Sequence, residues 1–231
     1  MKPPSGTVTF LFTDIEGSTP LWDSHPEAMS RALARHDAIV RGAVARRGGH
    51  VFSTGGDGFG VAFTRARDAV EAALDAQCHL ATEPWPDDVT LRVRMGAHTG
   101  EAEERAGDYL GPPVNQAARL MGAANGGQVV VSALTAGLLD ATEDIELVDL
   151  GATRLKGIVE PVAVHGVQGR GHQWLDLPLV SHQVSAGNLP HPTTDFVGDL
   201  ADLGRRVSGL AQARLVTLTG SGGVGKSRAA V

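Results

Sequence analysis

The chain has 231 residues, 42% of them hydrophobic, and a formal net charge of −6. That length fits one or two domains with a substantial core. The acidic balance and the lack of a Lys/Arg block argue against a nucleic-acid partner, and no apolar run nears the roughly 20 residues that cross a bilayer. The lone cysteine, Cys78, makes no internal disulfide. With no signal-like N-terminus, the expected compartment is the cytoplasm.

Residues 7–12, TVTFLF, are β-rich and apolar, which predicts a buried strand. The strand runs into Asp14-Ile15-Glu16-Gly17-Ser18-Thr19-Pro20. Thr19 is placed to cap a helix with Pro20 in its first position. Met29, Leu33, Val40 and Val44 give that helix its apolar stripe as far as Arg46-Arg47-Gly48-Gly49. Two short strands flank the turn in residues 52–63, FSTGGDGFGVAF. A second helix from about Thr64 carries Ala66, Val70, Ala73, Leu74, Gln77 and Leu80, with Cys78 as a small buried residue. Residues 91–98 read as a strand, and a third helix starts near Pro113. Residues 128–131, 145–150 and 161–167 read as further strands. The order strand-helix-strand-strand-helix-strand describes an α/β sandwich of the ferredoxin-like kind. An antiparallel sheet carries packed helices, with extra strands at its C-terminal end.

The pattern fades after residue 168. Residues 169–195 are expected to be a linker and 1–168 the first domain. The strand 214–219 then leads into G-x-x-x-x-G-K-S, with Gly220, Gly225, Lys226 and Ser227. This is a P-loop, whose amides wrap phosphates and whose lysine reaches the terminal ones. Residues 196–231 are expected to be the cut-off start of a P-loop NTPase domain, too short to bury a core alone.

Two acids stand at turns. Asp14 ends the first strand, and Asp57 sits between the second and third. Each alone is as compatible with a cap or a hairpin turn. In an antiparallel sheet, however, a strand end and a neighbouring hairpin tip can meet. Two carboxylates meeting there repel unless a divalent ion lies between them. Hard oxygen ligands in small number suit Mg²⁺ or Mn²⁺, which complete their shells with substrate phosphates. Beside Asp14, the backbone of Glu16, Gly17, Ser18 and Thr19 leads into a helix N-terminus suited to anions.

Taken in order, FTDIEGST, FSTGGDGFGVAF, MGAHTGE, GDYLGPPVNQAARL and RLKG make residues 7–167 resemble the class III adenylyl and guanylyl cyclase catalytic domain. The resemblance implies conversion of ATP to 3′,5′-cyclic AMP and pyrophosphate in intracellular signalling. It implies that Asp14, Asp57 and the carbonyl of Ile15 hold two Mg²⁺ or Mn²⁺ ions per site. Asn115 would orient the ribose, and Arg119, four residues on along the same helix face, would neutralise the α-phosphate. Lys156 would meet the terminal phosphates, with Arg105 also reaching phosphate and Gly56 joining the substrate contacts. Asp108 fits one member of the family's base-reading pair. The other is usually a lysine in adenylyl cyclases, and its place falls on Ser53, which should loosen discrimination between ATP and GTP. In the family the acids and the Asn/Arg pair come from different subunits, which implies a homodimer.

GGDGF also invites comparison with the GGDEF signature of diguanylate cyclases. Gly58 stands where their further acid would be, and the Asn115 and Arg119 motifs do not belong to that family. The segment from Asn188 through the P-loop resembles the start of an NB-ARC-type ATPase, often placed after cyclase domains in actinobacterial regulators. The alternative to an active adenylate cyclase is a weakly active or non-catalytic nucleotide-binding and dimerisation module that regulates an ATPase. A guanylate cyclase ranks lower, because Asp108 favours an amino group on the base.

Overall fold

A computed structural model describes residues 3–86, 89–105, 107–139, 144–169 and 171–180. All of them fall in one compact unit, Met1–Gln183. The P-loop residues Gly220, Gly225, Lys226 and Ser227 lie outside the described residues.

Seven strands form one sheet. They are β1 (Thr7–Ile15), β2 (His50–Gly55), β3 (Gly58–Phe63), β4 (Val93–Glu101), β7 (Val129–Ser132), β8 (Glu146–Thr153) and β9 (Val162–Gln168). Their order is β2-β3-β1-β4-β7-β9-β8. The first four make the ferredoxin-like palm expected from the sequence. Only β4 and β7 pair in parallel; every other pairing in the sheet is antiparallel. A small hairpin, β5 (Glu103–Arg105) with β6 (Asp108–Leu110), stands apart from it.

Alternation along the strands sends successive side chains to opposite faces. Leu11, Val61, Phe63, Met95, Ala97, Val129 and Val131 pack with α2 (Pro26–Arg46) and α3 (Ala66–Thr82). On the other face, Phe10, Ala62 and Val130 join Ala117, Leu120 and Ala123 of α4 (Pro112–Ala123) in two smaller clusters. Glycine lets α4 sit close. A Cβ at Gly96 would lie 2.1 Å from the Met121 nitrogen, and one at Gly100 would lie 2.7 Å from Pro113 Cγ. Phe10, Phe12, Phe52 and Tyr109 interlock edge to face on this side, with centroids 5.1–5.9 Å apart.

The structure departs from the sequence reading or adds to it at four points. The first helix is two, α1 (Ser18–Ser24) and α2, broken at His25-Pro26. Proline disfavours the helical region for the residue before it, and His25 sits at φ −137°, ψ 57°. Thr19 is not the cap, since Gly17 holds that position with φ 66°. A short helix, α5 (Ala133–Ala136), follows β7, with Ser132 capping it through the Thr135 amide. Finally, the stretch expected to be linker from residue 169 is hydrogen-bonded to the domain as far as Val180. No helix among the described residues is long and apolar enough to cross a membrane.

Candidate active site

Register brings Asp14 and Asp57 to the same end of the sheet. Thr13 on β1 lies opposite Phe59 on β3, so the next step along β1 sets Asp14 beside Gly58 and the Gly56-Asp57 turn. The Thr13 hydroxyl accepts the Phe59 N–H at 3.1 Å. Gly58 has to be glycine, because a Cβ there would stand 2.5 Å from the Thr13 carbonyl oxygen. Gly56 turns at φ 61°, in the left-handed region that favours glycine. The glycines of the β2–β3 hairpin therefore serve to press Asp57 against the end of β1.

The two acids differ in their partners. Asp57 Oδ2 is buried and has no hydrogen-bond partner. A buried carboxylate oxygen left that way is costly unless a donor or a cation reaches it. Asp14 is half-buried, and its Oδ2 accepts two bonds from Arg94, from Nε at 2.9 Å and Nη2 at 2.6 Å. Both fall on one oxygen, so Oδ1 stays available as a ligand. Among the described residues no group of three or more His, Cys, Asp or Glu is arranged to hold a metal. Two carboxylates with an otherwise open shell fit Mg²⁺ or Mn²⁺, whose remaining positions go to phosphates and water. The residues present thus fit the implied ions.

Arg94 is the neighbour that sequence reading missed. It faces Asp14 across the β1–β4 ladder, and cross-strand register leaves no signature in a single strand's pattern. Buried His36 on α2 packs its ring 5.8 Å from Phe59, also unforeseen. Burial pushes its pKa down, while Asp37 and Asp57 pull it the other way.

Around the turn after β1, one expected phosphate contact does not hold. The Glu16 amide donates to Arg92 O at 2.9 Å, and its carboxylate accepts Gly126 N–H at 3.0 Å. Its donor is spent on the backbone, so only Gly17, Ser18 and Thr19 remain as amides at the start of α1. Ile15 is buried and pairs with Val93.

The second set of residues lies elsewhere. Asn115 and Arg119 are exposed on α4, opposite its buried Ala117 and Leu120. Lys156 is exposed in the loop between β8 and β9, next to buried Leu155. Arg105 and Asp108 pair across the β5–β6 hairpin, both exposed. Ser53 is exposed on β2. The spacing of Asn115 from the acids can be read along β4. Arg94 lies beside Asp14, whereas Pro113 at the start of α4 lies over Gly100. Six residues of extended strand separate them, about 20 Å. Asn115 therefore sits far from the two acids of its own chain. A pocket of about 590 Å³ is lined by Gln77, Cys78, Trp85, Arg92 and Leu175 among others, and by none of these expected site residues.

Comparison with known proteins agrees with this fold. The family described as the adenylate and guanylate cyclase catalytic domain matches residues 1–169. An uncharacterised protein of Mycobacterium tuberculosis is 45% identical over 206 residues, covering 87% of this chain and 70% of that protein. An adenylate cyclase of Lachancea kluyveri is 37% identical over 157 residues, 57% of this chain but 8% of that much longer enzyme. A solved structure of adenylate cyclases from Trypanosoma brucei, in their monomeric state, is 30% identical with a TM-score of 0.70, over 79% of this chain and 98% of that one. The chain belongs to the adenylate and guanylate cyclase catalytic domain family.

Proposed function

We propose that the protein converts ATP to 3′,5′-cyclic AMP and pyrophosphate at sites completed by two copies of the chain. The observation that carries this reading is the buried, unpartnered oxygen of Asp57 set beside Asp14. In the reaction the ribose 3′-oxygen attacks the α-phosphorus, its proton passes to solvent, and the bond from the α-phosphorus to the bridging oxygen of pyrophosphate breaks. Two divalent ions, Mg²⁺ or Mn²⁺, supply activation of the 3′-hydroxyl and charge neutralisation on the phosphates. Asp14, Asp57 and the Ile15 carbonyl would hold them. Gly17, Ser18 and Thr19 offer amides to the terminal phosphates. Gly56 leaves room for the triphosphate beside Asp57.

From the partner copy, Asn115 orients the ribose and Arg119 meets the charge that grows on the α-phosphate. Lys156 and Arg105 steady the terminal phosphates. Asp108 accepts from the adenine amino group, and exposed Ser53 adds at most one short contact, so ATP is preferred over GTP only modestly. The separation along β4 supports a two-chain site, because one chain alone cannot bring Asn115 and Asp14 to one ribose triphosphate. The cytoplasm, which supplies ATP and keeps Cys78 reduced, is the compartment this reading requires. The P-loop sequence near the C-terminus is read as the start of a second nucleotide-binding domain.

The test is a mixing experiment. Asp57→Ala and Arg119→Ala should each be inactive alone, and together they should form heterodimers with one intact site. Mixing should restore a substantial part of the wild-type rate. Background activity after verified subunit exchange would refute the shared site.

A further inference from the structure

The sheet ends with β9, yet the chain that follows it is held at every stage. Gly169 and His172 exchange backbone bonds at 2.8 and 2.9 Å. Trp174 N–H donates to Gln168 Oε1 at 3.1 Å. The Leu175 and Leu177 carbonyls both accept from Gln128 Nε2 at 2.9 Å. The Pro178 carbonyl accepts from Asn125 Nδ2 at 2.9 Å, and Val180 N–H donates to Ala123 O at 2.8 Å. The Gln128 side chain is wholly buried, and its Oε1 accepts from both Asn125 N and Nδ2. All four hydrogen-bonding positions of that amide are therefore used, two of them on this segment alone. A buried amide committed in this way defines a fixed seat for the segment.

The segment also drives side chains into the core. The Trp174 ring fills the notch at Gly166, where a Cβ would lie 2.6 Å from the indole. Trp174 and Leu179 pack on the cluster of Leu120, Ala123, Ala124, Val130, Leu155 and Val164. Two of these positions bear on the site. Leu120 follows Arg119 on α4, and Leu155 precedes Lys156 in the β8–β9 loop. One small core thus holds the chain neighbour of each cation assigned to the second half-site, while the Asp14/Asp57 end packs through a separate cluster containing Leu11, Ile15 and Phe59.

We infer that residues 172–180 form a strap whose Trp174 positions Arg119 and Lys156, so that the chain leaving the domain sets the geometry of the phosphate-binding half-site. Trp174 is a positioning residue and touches no substrate. The inference rests on the shared-site reading above. It differs from a general stabilising role in one respect: it damages one half-site and spares the other.

The test uses Trp174→Ala in the full chain, with Trp174→Leu as the milder change if the alanine form does not fold. The homodimer should lose at least about tenfold in kcat, the size expected of a misplaced charge-stabilising group. Mixed with Asp57→Ala, the Trp174 variant should regain activity, because it contributes a sound acid end. Mixed with Arg119→Ala it should not, because neither chain then offers a sound α4 end. Rescue by both partners or by neither would overturn the inference, provided that the Asp57→Ala and Arg119→Ala control mixture recovers. Should that control fail, the shared-site reading falls on its own, and amide exchange decides the strap. Exchange should rise in residues 112–123 and 155–158 of the Trp174 variant and stay at the wild-type level in β1 and β3. A uniform rise, or none, would refute the assignment.

Discussion

Gly96→Ala tests how α4 is held over the sheet. The added Cβ would lie 2.1 Å from the Met121 nitrogen, 2.6 Å from its Cα and 2.8 Å from the Leu120 carbonyl carbon. Ordinary contact begins near 3.4 Å, so the helix must retreat by roughly 1.3 Å. All three obstacles are backbone atoms, which cannot rotate away. Overpacking of a tight core costs about 1–3 kcal/mol, and this site belongs at the upper end. A shift of about 1 Å at a catalytic group costs on the order of 100-fold in rate. Because α4 carries Asn115 and Arg119, the expected result is a variant about 3 kcal/mol less stable with a rate down about 100-fold. Urea unfolding measures the first quantity and cyclic nucleotide formation the second. Gly122→Ala is the control on the same helix, where nothing lies within 4 Å of the new Cβ. It should be neutral or stabilising by up to about 1 kcal/mol. A Gly96→Ala enzyme of wild-type rate and stability would refute the close seating of α4 on β4.

Other outcomes follow from the same geometry. Ser53→Lys should sharpen the preference for ATP over GTP, and Asp108→Ala should flatten it; wild-type discrimination should be on the order of tenfold, from one contact worth about 1–3 kcal/mol. An unchanged ratio in Asp108→Ala would move the base elsewhere. Arg94→Met removes a positive charge 2.6 Å from Asp14. Mn²⁺ binding without nucleotide, followed by the loss of the free-ion electron spin resonance signal, should tighten by about three- to tenfold, on the order of 1 kcal/mol of repulsion; weaker binding would mean that Arg94 serves only to aim the carboxylate. Burial pushes His98 down to about 4 from 6.5. The unfolded chain then binds the extra proton first, so stability should be full above pH 6.5, fall as the pH drops toward 4 and level off below. His98→Gln, which can keep a bond to Ser132, should flatten that slope, and an unaltered slope would assign it to other groups.

Much of this architecture was legible in the sequence because apolar alternation is a local property. Residues 8–12 and 129–131 point both ways into packed layers, and their mostly apolar, β-branched and aromatic composition announces it. The break at His25-Pro26 was signalled by proline, but the apolar stripe of Met29, Leu33, Val40 and Val44 lies wholly beyond it and does not mark where the helix begins. The β5–β6 strands are three residues each and mostly exposed, so no periodicity marks them. The acids were legible because glycines crowd Asp57, and the structure explains that crowding by the contact of Gly58 with the Thr13 carbonyl. Arg94 was not, since its pairing depends on the β1–β4 register. The role of Glu16 was misread for a similar reason. A donor next to a helix start is available only if no neighbouring strand claims it, and Arg92 does. The seat of residues 172–180 was hidden because side-chain bonds from Gln128 and Asn125 hold it, without any repeating pattern.

The most direct measurement of the central claim is product formation by the purified full chain with Mn²⁺ and ATP, resolved by chromatography against authentic standards, beside Asp57→Ala under the same conditions. The account predicts 3′,5′-cyclic AMP and pyrophosphate in equal amounts from the wild-type protein, with Asp57→Ala folded but at background. Absence of cyclic product from a folded, dimeric wild-type protein, or an Asp57→Ala rate equal to wild type, would contradict it.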